Sequence, residues 1–139
     1  MILFDSGPLL AYVNDKDPHH KSAVNIITES LKGVYGKLLV TNYIVDEVLT
    51  LALVRTRSCQ YGDEILKVIR SEKDEKRIFY EVTIQNEMIT KTEESFRKYC
   101  SKGLSFTDCS LLAVSEILNV EYLATFSAEF KGLATILPE

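Results

Sequence analysis

The amino-acid sequence predicts an α/β fold: a roughly five-stranded, mostly parallel sheet with helices on both faces. Short apolar segments rich in strand-forming residues alternate with longer stretches of helical spacing. Strands that are apolar almost throughout belong to sheets covered on both sides, which in an alternating chain means a parallel sheet under helices. The chain has 139 residues, 46% hydrophobic and 26% charged, and a mean hydropathy of +0.02. One core can therefore be filled, and residues 1–139 read as a single domain. No repeat, low-complexity tract or Pro/Gly-rich linker divides them.

Met1 to Phe4 form the first strand, an apolar run stopped by Asp5. A helix is expected from Pro18 to about Leu31, opening after an Asp-Pro turn, with Ala23, Ile26, Ile27 and Leu31 on one stripe. Lys37 to Val40 form the second strand. From Asn42 to about Arg57 the helix is apolar almost all round, through Ile44, Val45, Val48, Leu49, Leu51, Ala52, Leu53 and Val54, which predicts deep burial. A helix with a basic end runs from about Gly62 to Lys73, followed by a strand at Ile78 to Val82. An amphipathic helix spans about Gln85 to Cys100, carrying Met88, Ile89, Phe96 and Tyr99. The last long helix covers Thr107 to Leu118, and strands at Tyr122 to Thr125 and Thr135 to Leu137 end the pattern.

The apolar opening is far shorter than a signal peptide's core, and no later uncharged run reaches a membrane span, so a soluble, cytoplasmic protein is expected. Cys59, Cys100 and Cys109 are odd in number and lack CxxC spacing, which fits buried reduced thiols. The 20 Asp+Glu against 16 Lys+Arg give a formal charge of -4. That balance argues against nucleic-acid binding by bulk charge alone.

Three acids stand where the apolar pattern calls for something else. Asp5 falls at the carboxyl end of the first strand, the edge where open α/β sheets bind ligands, although Asp before Ser-Gly-Pro also suits a helix cap. Glu47 lies between Ile44 and Leu51 on a helix with little polar face; it needs a cation, a proton or a salt bridge to Arg55 or Arg57, while Asp46 reads as the surface residue. Asp108 stands three residues after Ser105 at a helix entrance, the spacing of a capping box, which does not prevent it from also facing a ligand. If the first strand is central, these acids converge on one crevice. Oxygen ligands without clustered His or Cys select Mg²⁺ or Mn²⁺ over zinc, and such sites act on phosphate esters.

These segments resemble the PIN-domain family, the small metal-dependent ribonucleases that include VapC-type toxins of toxin-antitoxin pairs. ILFDSGPLLAYVNDKDPHH is similar to the family's first motif, TNYIVDEVLTLALVR to its second, GLSFTDCSLLAVSEIL to its third and YLATFSAEFKGL to its fourth. The resemblance covers nearly the whole chain. It implies a PIN-like five-stranded sheet and a metal site at Asp5, Glu47 and Asp108, with a fourth acid after the last long strand. There the chain departs from the family, having Ser127 at the usual acidic position and Glu129 two residues on. Either Glu129 reaches in, or Ser127 acts through a water, or a second metal binds poorly. Ser6 and Thr107 match the family's small hydroxyl neighbours, as carboxylate supports or as caps.

The activity so implied is cleavage of RNA by a metal-activated water, with a small antitoxin and a second copy of the chain as partners. Arg55 and Arg57 head a run of basic residues placed to contact RNA, though charge runs are usually solvated faces. His19 and His20 lack a third ligand at metal-binding spacing and read as a surface helix entrance. The competing reading is a catalytically weak or inactive PIN-like domain that binds RNA or protein. An Asp-nucleophile hydrolase would want a second acid where Gly7 stands.

Overall fold

The computed structural model describes residues 1–139. The chain runs β1 (Ile2–Phe4), α1 (Ser6–Val13), α2 (His20–Leu31), β2 (Leu38–Thr41), α3 (Asn42–Thr56), α4 (Cys59–Ile69), β3 (Glu72–Lys73), β4 (Lys76–Arg77), β5 (Phe79–Val82), α5 (Glu87–Tyr99), α6 (Phe106–Leu118), β6 (Tyr122–Ala124) and β7 (Ile136–Leu137). Five strands form one sheet in the order β5-β2-β1-β6-β7. Every pairing in it is parallel. This is the α/β class that the alternating pattern predicts.

The order places β1 at the centre. From β1 the chain moves outward through β2 to β5, then returns across the sheet to β6 and on to β7. Right-handed crossovers in opposite directions put helices on opposite faces. They also open a crevice beyond the carboxyl ends of β1 and β6, where the winding reverses. The core is built around the central strand: Ile2, Leu3 and Phe4 are fully buried, and Phe4 meets Phe79 of the edge strand edge-to-face at 5.3 Å between ring centroids.

Four details differ from the sequence reading. The first helix after β1, Ser6–Val13, follows directly on Asp5, because Pro8 falls in its first turn, where a missing N–H costs little. The helix α4 stops at Ile69, not Lys73; Glu72 to Arg77 instead make a hairpin whose turn residues Asp74 and Glu75 take positive φ of 53° and 62°. On α3 only Ile44, Val48 and Ala52 are fully buried, while Leu53 and Val54 stay 51% and 58% exposed. The all-round apolar pattern thus marks one buried stripe and one uncovered face, not a helix enclosed on every side. Of the cysteines, which are all free thiols, only Cys109 is buried, while Cys59 and Cys100 are exposed.

Candidate functional site

Asp5, Glu47 and Asp108, far apart in sequence, line one crevice of about 250 Å³ together with Ser6, Gly7, Asp17, His19, Leu51, Arg55, Phe126 and Ser127. The topology explains the meeting. Asp5 terminates the central strand and caps α1; Glu47 sits one turn into α3, which starts as β2 ends; Asp108 lies in the first turn of α6.

Asp5 is 8% exposed. Its Oδ1 accepts the Ser6 amide at 2.7 Å, and its Oδ2 accepts the Thr125 hydroxyl at 2.7 Å. Thr125 in turn accepts the Ser127 amide at 3.0 Å, so the chain after β6 is tied to the acid at the end of β1. Burial pushes the Asp5 carboxyl up to about 6; the bonds from Thr125 and Ser6 act the other way, and the neighbouring Glu47 and Asp108 add repulsion. Thr125 was not visible as a site residue in the sequence. Its signal is faint: a hydroxyl closing an apolar strand, almost fully buried and hence obliged to find a partner.

Glu47 is half-buried and Asp46 exposed, the division that the helical pattern predicts. Its partner is the Ser6 hydroxyl, which donates to Oε2. Neither Arg55 nor Arg57 pairs with it, and no ion pair involves either arginine. Arg55 lines the crevice and Arg57 does not; Arg57 closes α3 in a left-handed conformation. Asp108 completes a capping box, accepting the Ser105 amide on Oδ2 at 2.8 Å while its own amide bonds Ser105 Oγ at 3.0 Å. Both readings of Asp108 are thus compatible with its position, cap and crevice wall. Thr107 lies just outside the lining residues.

Ser127 lines the crevice, but its hydroxyl donates to Glu129, which is exposed and outside the lining. That bond also holds the Glu129 carboxyl below its usual range. The geometry therefore gathers the three expected acids, with Asp17 beside them, and leaves Glu129 outside the lining. His19, read from sequence as a surface helix entrance, is exposed but also borders the crevice, stacked on Phe126 with centroids 4.3 Å apart.

In kind, these donors fit a hard divalent cation: all are oxygens, and the most buried one has its ionisation opposed by its surroundings, a penalty that a cation offsets. As placed, however, no group of three His, Cys, Asp or Glu side chains is drawn together closely enough to hold an ion. Glu47 is turned to Ser6 and Asp108 to the Ser105 amide, so the three acids are arrayed around the crevice without closing on a point.

Comparison with known proteins bears on the family and the fold. The family model of the PIN domain matches residues 2–135. The chain belongs to the PIN-domain family. This PIN domain is 32% identical over 135 residues to a VapC ribonuclease of Archaeoglobus fulgidus, covering 96% of the present chain and 81% of the relative. In fold it is similar to the sarcin-ricin-loop-cleaving toxin VapC20 of Mycobacterium tuberculosis, with a TM-score of 0.80 at 16% identity over 94% of this chain and 93% of that one. It is also similar to a chain of Rickettsia felis VapBC2, solved bound to a DNA fragment from its promoter, with a TM-score of 0.68 at 14% identity over 98% and 97% of the two chains. The PIN domain has no helix long and apolar enough to cross a membrane.

Proposed function

We propose that this PIN domain is a divalent-metal-dependent ribonuclease that acts as the toxin of a toxin-antitoxin pair in the cytoplasm. The observation that carries the reading is the convergence of Asp5, Glu47 and Asp108 on one crevice beside the uncompensated guanidinium of Arg55. The similarity to a VapC ribonuclease supports RNA as the substrate. A Mg²⁺ or Mn²⁺ ion held by those three acids would supply a water of lowered pKa and offset charge on the scissile phosphate.

The protein's own groups prepare that chemistry. Thr125 and the Ser6 amide fix both oxygens of Asp5, so the buried acid keeps one orientation. The Ser6 hydroxyl orients Glu47. Arg55 draws the phosphate backbone toward a crevice whose other charges are negative. Arg57 and Glu129 lie outside the lining and serve as an outer phosphate contact and an outer acid. Leu53 and Val54, exposed along α3, offer an apolar face for a second copy or for an antitoxin helix.

One observation favours the alternative, a domain that binds RNA without cutting it: the fourth acidic position is Ser127, and Glu129 turns to Ser127 outside the crevice. A single assay separates the two. Purified protein is incubated with RNA in Mn²⁺ or in EDTA, beside Asp5→Asn. Cleavage confined to wild type with metal is expected. Cleavage that persists in EDTA or in Asp5→Asn refutes the metal-site reading, and binding without cleavage favours the alternative.

A further inference from the structure

We propose that the stacked His19–Phe126 pair is a nucleobase platform that holds an unpaired base next to the cleaved bond. The proposal rests on the ribonuclease reading above and goes beyond it by assigning a base-positioning element. His19 and Phe126 lie nearly parallel, 13° between planes, and both border the crevice that holds Asp5, Glu47 and Asp108. Phe126 covers one face of the imidazole, and His19 is exposed, so its other face is open to solvent beside the acids. Aromatic faces in this setting stack on unpaired bases, each of which offers a π-face of its own.

The two adjacent histidines have different tasks. His20 Nδ1 is tied to the Ala11 carbonyl at 2.7 Å, which secures the entrance of α2 against α1. The His19 ring makes no hydrogen bond; only its backbone is engaged, the amide donating to Asp17 Oδ1 at 2.8 Å and the carbonyl accepting the Ala23 amide at 2.9 Å. The ring is therefore free to turn its open face to a base. The platform is also held rigid relative to the acids. Phe126 lies against the turn at Gly7, where a Cβ would come 3.4 Å from its Cδ2. It stands between Thr125, which bonds Asp5, and Ser127, whose amide bonds Thr125. A base stacked on His19 is thereby positioned by the same segment that fixes the central carboxylate.

The test uses a labelled single-stranded RNA that wild type cleaves, with binding measured on the Asp5→Asn protein so that the RNA stays intact. His19→Ala and His19→Phe are added to that background, and each protein is titrated with the RNA and with copies carrying an abasic nucleotide on either side of the cut. His19→Ala should weaken binding to intact RNA about tenfold, a typical loss for one stacked base. The loss should vanish on one of the abasic copies, and His19→Phe should bind within about twofold of the parent. Equal binding by His19→Ala, or a loss that persists on both abasic copies, overturns the platform while leaving the nuclease reading intact. If wild type neither binds nor cuts single-stranded RNA, that reading fails and the platform with it.

Discussion

Replacing Asp5 by Asn should make the metal-free protein more stable, although the residue is central to the proposed site. The carboxyl is 8% exposed and its pKa rises from 3.8 to about 6 on folding, chiefly through burial. Because the folded value is the higher one, the effect on stability has a definite sign. Below about pH 3.8 the carboxyl is protonated in both states and carries no penalty. As pH rises through that value the unfolded chain ionises first and stability falls, until above about 6 the folded carboxyl is ionised too and the penalty is complete. At 1.36 kcal/mol per unit the full penalty is about 3 kcal/mol. Asn keeps the shape and can accept the Ser6 amide, but its NH₂ meets a Thr125 hydroxyl that donates in the wild type, a mismatch costing about 1 kcal/mol. The net gain of about 2 kcal/mol corresponds to a melting temperature about 6 °C higher for a chain of this size. Thermal melts in EDTA near pH 7.5 should show that rise, and the difference should shrink or reverse near pH 4, where only the mismatch remains. An Asn variant no more stable than wild type at pH 7.5 would refute the claim that ionising Asp5 strains the fold.

Thr125→Val should lower stability near pH 7.5 by about 2 kcal/mol in urea unfolding, since a hydrogen bond to a charged group is lost and the Asp5 pKa climbs further. The loss should be smaller near pH 4, where Asp5 is protonated; an equal loss at both values would mean that Thr125 matters only for core shape. Ser105→Ala removes half of the α6 capping box and should cost about 1 kcal/mol in the same measurement. No loss would show that the cap is redundant and that Asp108 is held by the crevice alone.

The three central strands were legible because each is a continuous apolar run ended by a polar residue, the pattern of a sheet covered on both faces. The candidate acids were legible for a related reason. A carboxylate among residues destined for burial conflicts with its surroundings, and Asp5 bears that conflict out in its shifted pKa. Two other features left no such trace. The exposure of Leu53 and Val54 depends on what covers α3, and periodicity cannot distinguish an enclosed helix from one with an apolar outer face. The stacking of His19 on Phe126 joins the entrance of α2 to the segment after β6, a meeting made by topology alone. The hairpin at Glu72 to Arg77 was hidden because its charged residues suit a helix end equally well, and two positive-φ turn residues without glycine give little warning.

The central claim, that Asp5, Glu47 and Asp108 form one cation site, is tested most directly by titrating Mn²⁺ into the apo protein and following the free-ion electron paramagnetic resonance signal. Saturable binding by wild type is expected, lost in Asp5→Asn and strongly weakened in Glu47→Gln and Asp108→Asn, with all three variants folded. Binding by the variants equal to that of wild type, or no binding by wild type at millimolar Mn²⁺, would contradict it.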